Sequence, residues 1–250
     1  MLADIHCHLD EFESAKLDQE LKKAFEEGIS LVVTNSVNPK SMQKNLAISE
    51  KYPFVRCALG IHPNEITVEN FSLLLKSTSF IEKNISNDCC VAIGETGLDY
   101  MFADPNQKEL QLRLFEKHIE LSKRFKKPII VHSRGARKEC IETLAKNEAE
   151  KVVLHWFISD EKLLEKAISL GYFVSIGPSI LFQEHVINFA KKIPLENVLF
   201  ETDAPVTYNG QAAVPCWVKK VAEKFCELKD ISFNDMENIA ALNLKTLFDK

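Results

Sequence analysis

Eight short apolar runs, each followed by a stretch of helical periodicity, constrain this chain more than any other feature. The runs are Leu2–His8, Leu31–Asn35, Phe54–Ile61, Val91–Glu95, Pro128–His132, Val152–His155, Phe173–Ile176 and Val198–Asp203. They are continuous rather than alternating, as parallel strands covered on both faces are. Eight such strands alternating with helices in 250 residues predict an α/β fold, a (β/α)8 TIM barrel forming a single domain over 1–250. A doubly wound open sheet is the rival, but it usually carries a glycine-rich phosphate loop after its first strand. This first strand ends in histidines instead.

The clearest helix begins at Asp104, an N-cap followed by Pro105 at the first helical position and by Gln107, which completes a capping box. Leu114, His118, Leu121 and Phe125 form one stripe along it. A second box, Ser232 to Asp235, precedes an apolar pattern through Ile239, Leu242 and Leu247. His118 and His185 fall in helical stretches and are read as packing or surface residues. The basic cluster Lys123, Arg124, Lys126 and Lys127 precedes the fifth strand, which puts it at the N-terminal face of a barrel as a solvated helix end.

The net charge of −5 lacks the basic balance of most nucleic-acid binders. Bound divalent cations can supply positive charge locally, however. The seven cysteines form no CxxC pair, which argues against a thiolate zinc site or a redox motif. With no signal peptide pattern and no apolar run of membrane-spanning length, the expectation is a soluble cytoplasmic protein with reduced thiols and no membrane partner. Nothing in the sequence specifies an oligomeric state, a monomer being one possibility.

His6 and His8 lie two apart on the first strand, so both side chains point to the same side. Glu95, His132, His155 and Asp203 close the fourth, fifth, sixth and eighth strands. Barrel active sites are assembled at that face from such positions. Any one of these residues is explained as a polar strand cap, but six of metal-ligating type are not. Four histidines and two carboxylates exceed what one tetrahedral ion needs with an open position. They suit two divalent ions (Mg, Mn or Zn) with Glu95 bridging, an arrangement that stabilises both attacking and leaving oxygens in phosphoryl transfer.

The segments DIHCHLD, GIHP, AIGETGLDY, PIIVHSR, VLHWF, VSIGP, VLFETDAP and NIAALNLKTLF occur in an order and spacing that resembles the TatD family along nearly the whole chain. The resemblance implies a divalent-metal hydrolase acting on DNA as a 3′-end exonuclease, with His6, His8, Glu95, His132, His155 and Asp203 as the metal ligands. It also implies that His62 faces the phosphate, the bland alternative being a loop-packing histidine. Two departures stand out. Trp156 replaces a small residue after His155, and a short AAVPCW segment replaces a longer loop after Asp203.

Asp203 and Glu95 are the expected catalytic carboxylates. A carboxylate touching both a metal and the attacking water can take its proton, which makes Asp203 the candidate base, or else a purely structural ligand. Glu201, two residues earlier, is either an orienting partner of a ligand or a buried ion-pair member. Arg134 is a phosphate clamp or half of a surface ion pair. Asp99 and Tyr100 are expected to shape the mouth, with Tyr100 stacking a base. The competing functions are a barrel hydrolase of cyclic amides, lactones or phosphotriesters, a nuclease acting on RNA or a small phosphodiester, and a non-catalytic binding protein. Many barrel hydrolases of the first kind bridge their metals with a carbamylated lysine, where this chain has Glu95.

Overall fold

The computed structural model describes residues 1–101 and 103–248. Eight parallel strands, β1 (Leu2–Cys7), β2 (Ile29–Asn35), β3 (Val55–Leu59), β4 (Cys90–Gly97), β5 (Ile129–His132), β6 (Val152–Leu154), β7 (Phe173–Ile176) and β8 (Val198–Phe200), pair in sequence order. The barrel closes through the segment after β8, where the Asp203 amide donates to His6 O (2.8 Å) and the His8 amide to Ala204 O (2.7 Å). The (β/α)8 expectation therefore holds.

Two apolar layers hold the barrel. Ala3, Ile5, Val33, Ala58, Ala92, Ile130, Val153, Phe173 and Leu199 fill the lumen, and Leu244 and Leu247 of the helix Phe233–Phe248 join them at the N-terminal opening. The small Ala58 and Ala92 on neighbouring strands leave room for the branched residues opposite, as a close-packed lumen requires. The other faces of the strands pack against the helices in a larger continuous core.

The caps predicted for the helix Pro105–Phe125 form as expected. The Asn106 amide donates to Asp104 Oδ1 (2.9 Å), and the Asp104 amide to Gln107 Oε1 (3.0 Å). The Ser232 box also forms, with the Asp235 amide donating to Ser232 Oγ at 3.1 Å. The stripe after it differs from expectation. Leu242 is exposed, and the buried face runs through Met236, Ala240, Asn243, Leu244 and Leu247. An i, i+4, i+7/8 progression from Met236 meets the lumen and β8, and Leu242 falls on the far side of that arc. The basic cluster sits where expected: Lys127 Nζ donates to the carbonyl of Cys90, the first residue of β4, at 2.7 Å.

Three of the strands that carry expected ligands end before their apolar runs do, whereas β4 continues past Glu95 to Gly97, so Glu95 lies inside its strand rather than closing it. β1 stops at Cys7, β6 at Leu154 and β8 at Phe200, so His8, His155 and Asp203 lie just beyond the ladder. Trp156 (φ 42°) and Asp203 (φ 52°) adopt left-handed backbone, which costs about 1–2 kcal/mol for a side-chain-bearing residue. These turns release the chain from the strand direction at the level of the site.

His118 lies in the core stripe, fully buried. Its Nδ1–H donates to Leu114 O (2.8 Å) and its Nε2 has no partner. Burial pushes its pKa down to about 4, against the pull of the Leu114 carbonyl. The unfolded chain binds this proton more tightly than the folded one. The stability contributed by the neutral ring is therefore complete above the ordinary histidine value and is lost as pH falls towards about 4. Replacing His118 by Leu should flatten the acid loss of stability in this window by on the order of 3 kcal/mol. Chemical denaturation of both proteins at about pH 7 and about pH 4 measures it. Equal losses in the two proteins would refute the assignment.

Candidate metal centre

The Glu95 carboxylate stands at the centre of the C-terminal mouth with a different set of partners on each oxygen. Its Oε2 faces Nε2 of His6 (3.4 Å) and of His8 (3.5 Å). Its Oε1 faces His132 Nδ1 (3.0 Å), His155 Nε2 (3.2 Å) and His62 Nε2 (3.6 Å). Asp203 Oδ1 completes the first group, at 3.5 Å from His6 Nε2 and 3.2 Å from His8 Nε2. The six residues expected as ligands are thus brought together, and all are buried.

Hydrogen bonds at the backs of the rings select which nitrogen faces inward. His8 Nδ1–H donates to Asn35 O (3.0 Å), which leaves Nε2 as the nitrogen that faces the carboxylates. His155 Nδ1–H is held by Glu201 Oε2 (3.3 Å), with the same result. Glu201 also accepts from Ser175 Oγ (2.5 Å) and, through Oε1, from the Trp156 amide (2.9 Å). Its oxygens are therefore engaged with protein donors, and of the two readings left open it takes the orienting one. His132 is gripped from behind by Asp99 Oδ2 (3.0 Å from Nε2). His6 has neither ring nitrogen hydrogen-bonded and stacks on His155 at 3.8 Å between centroids. Buried polar atoms without partners are costly, and an imidazole orphaned between two carboxylates fits a cation.

The electrostatics say the same. Burial alone pushes the Glu95 carboxyl up, but its electrostatic interactions with His62, His6 and His155 and the His132 hydrogen bond outweigh it and hold it well below the usual range. Burial also pushes Asp203 up, and the His8 hydrogen bond with the imidazole charges brings it down to about 2. Burial pushes His8 down, whereas Asp203 and Glu95 carry it up to about 9. The carboxylates are ionised, and the protons on the imidazoles occupy places that a divalent ion would take.

The remaining predicted residues divide. His62 is at the site: its Nδ1 accepts from the Asn64 amide (3.1 Å), which puts the proton of the neutral ring on Nε2, facing Glu95. Arg134 lines a cavity of about 340 Å³ beside His132 and His155. Asp99 is fully buried, and the geometry makes it a holder of His132 rather than a wall of the mouth. The Tyr100 hydroxyl donates to Glu139 (2.8 Å), and Lys108 covers its ring at 4.5 Å. A base-stacking role is not what this placement offers.

Sequence reasoning missed several residues. Arg137 and His185 line the same cavity as Arg134. His185, by its helical sequence context, reads as a packing or surface residue. It is exposed, and the short helix Glu184–Ala190 presents it at the mouth. Gln111, on a helix, accepts the Asp99 amide (3.0 Å) and donates to Pro63 O (3.3 Å), tying the loops after β3 and β4 together. The two departures noted in the sequence meet in space. The Trp156 ring packs on Tyr208 at 5.5 Å, and Tyr208 belongs to a hairpin of Thr207–Tyr208 and Gln211–Ala212. The turn is Asn209-Gly210, both with positive φ, the chemistry such a two-residue turn demands.

A parallel barrel that gathers four histidines and two carboxylates at its strand ends has the architecture of a metal-dependent hydrolase. The family described as TatD related DNase matches residues 3–249, and the chain belongs to that family. It is 33% identical to the human deoxyribonuclease TATDN3, over 100% of this chain and 95% of that protein. It is 32% identical to the uncharacterized metal-dependent hydrolase BU355 of Buchnera aphidicola, over 99% of each. The crystal structure of YJJV, a TatD homologue from Escherichia coli k12, superposes with a TM-score of 0.89 at 28% identity, covering 100% of this chain and 98% of that one.

The position of Glu95 depends on a glycine. A Cβ on Gly60, at the end of β3, would lie 2.5 Å from Gly94 C and 2.7 Å from Glu95 O, both backbone atoms. Gly60→Ala must therefore push Glu95 off its place, although Gly60 carries no ligand atom. We expect divalent-metal affinity to fall by about tenfold or more. Metal titration of a variant shown by circular dichroism to be folded measures this, and unchanged affinity would contradict the geometry.

Proposed function

We propose that this protein hydrolyses phosphodiester bonds of DNA with two divalent ions, shortening strands from the 3′ end. The observation that carries the two-ion reading is the fork of Glu95. Its Oε2 shares one space with His6, His8 and Asp203, and its Oε1 shares another with His132 and His155. In this reading His6, His8 and Asp203 hold one ion, His132 and His155 the other, and Glu95 bridges. The ions, when bound, supply Lewis-acid stabilisation of the attacking and leaving oxygens.

The chain's own groups then have separable tasks. Asp203 is already ionised and is held towards the site by His8, so its carboxylate accepts the proton of the attacking water. The Nε2–H of His62 points into the site and donates to a phosphate oxygen. Arg134, at the cavity beside the histidines, offers a bidentate fork to the same phosphate or its neighbour. Glu201 keeps the His155 ring in the tautomer that presents Nε2. DNA as substrate rests on family membership and on the name of the human relative, and the 3′ polarity on the resemblance of the sequence motifs alone. A cytoplasmic location fits seven buried, unpaired cysteines. Among the described residues no helix is long and apolar enough to cross a membrane.

Asp203→Asn should separate binding from chemistry. The amide keeps the shape and one oxygen donor but accepts no proton, so turnover should fall by about 10²–10⁴-fold. Metal content and apparent substrate affinity should change much less. Full turnover with full metal content would remove Asp203 as the base. On oligonucleotides tagged at one end, the wild-type protein with added divalent metal should erode the 3′ end stepwise. Internal fragments appearing first would overturn the polarity, and no cleavage of DNA beside cleavage of a generic phosphodiester would overturn the substrate.

A further inference from the structure

Three cysteines meet at the opposite end of the barrel, where the proposed reaction has no use for them. Cys57 on β3 and Cys90 on β4 are partners in the parallel register, so their side chains leave the sheet on the same outer side. Their sulfurs are 3.4 Å apart. Cys89, immediately before β4, is tied to the same spot because its carbonyl accepts the Cys57 amide at 2.8 Å. The three sulfurs all lie within 4.8 Å of one another. Cys57 and Cys90 are fully buried and Cys89 is 8% exposed, so the cluster touches solvent only through Cys89.

A fourth donor faces the group. Asn87 Oδ1 is 3.2 Å from Cys89 Sγ. Its orientation is set from behind, because Asn87 Nδ2 donates to Glu50 Oε1 at 3.2 Å. The amide oxygen thus faces Cys89, whose backbone amide also donates to it at 3.2 Å. Sulfurs around a tetrahedral ion with bonds of about 2.3 Å stand about 3.8 Å apart, between the shortest separation observed and the upper bound. Small side-chain rotations suffice to close the ring. The absence of a CxxC pair in the sequence does not bear on this site, since two strands rather than one loop bring the sulfurs together.

We propose that Cys57, Cys89 and Cys90 form a second metal site, specific for a thiophilic ion such as Zn(II), Cd(II) or Cu(I), with Asn87 Oδ1 or a water as fourth ligand. Soft thiolates select these ions, whereas the imidazole and carboxylate donors at the other end accept harder ones. The thiolate, not the thiol, is the ligand, so a bound ion displaces protons to solvent and its affinity rises with pH. The ion would pin the middle of β3 to the start of β4 and make the chain more stable, not more active.

The test uses the full-length, reduced protein and Cd(II) alone as probe. Sulfur-to-cadmium charge transfer in the near ultraviolet reports thiolate ligation and is silent for the histidine and carboxylate site. We expect the band to reach the amplitude of one thiolate-bound Cd(II) per chain, to disappear in Cys57→Ser and in Cys89→Ser, and to persist in Cys226→Ser. No band, or a band unaffected by the first two variants, overturns the proposal. Should those variants fail to fold, the ¹¹³Cd spectrum of the wild-type protein decides alone. A strongly deshielded resonance of sulfur type supports the site, and resonances of nitrogen and oxygen type only overturn it. Loss of DNA hydrolysis leaves all of these readouts intact, so the two proposals fail separately.

Discussion

The structure turns on one carboxylate held among imidazoles. Glu95 is almost wholly buried, and an unpaired charge in such a place would be expelled or neutralised. It stays ionised because five imidazoles, from the ends of four strands and loops, present nitrogens to its two oxygens. The mutual requirement runs both ways, since His6 has no hydrogen bond of its own. A cluster of this kind is poor at stabilising a fold, because desolvating so many polar groups consumes most of what they return. It persists because the apolar lumen and the helical layer hold the backbone regardless.

That division of labour explains where the rigid and the strained parts lie. The lower barrel is close-packed Ala, Val, Ile and Phe with a leucine plug from the final helix. The upper rim departs from ideal strand geometry at the residues that carry or flank ligands, with left-handed backbone at Trp156 and Asp203. Such conformations survive only where their surroundings over-determine them. Here the Trp156 amide is held by Glu201 and the Asp203 amide by His6 O. Glycines do the complementary work, Gly60 letting the backbone of β3 approach that of β4.

Much of the centre was legible from the chain. Strand periodicity put His6 and His8 on one side, and both do face Glu95. Placing Glu201 below Asp203 was a matter of counting by two, and it does lie behind His155. Tyr100 and Asp99 show the limit of the method. They follow β4 by only a few residues, yet their directions are set by Glu139, Gln111 and His132 from other elements. Leu242 shows the same limit on a helix, where apolar identity did not decide which arc faced the barrel.

The order of elements, the barrel, the buried faces of the strands and the identity of the inward histidines and carboxylates were determined by the sequence itself. They follow from local periodicity and from donor chemistry, which need no partner to be read. Tertiary structure alone decided which ring nitrogen faces the centre, how Glu95 divides the donors into two groups, and that Trp156 rests on Tyr208. It also decided that Arg137 and His185 share a cavity with Arg134, and that Cys57 meets Cys89 and Cys90 across two strands. Each of these depends on the approach of segments distant along the chain, and barrel closure, not spacing in sequence, sets those distances.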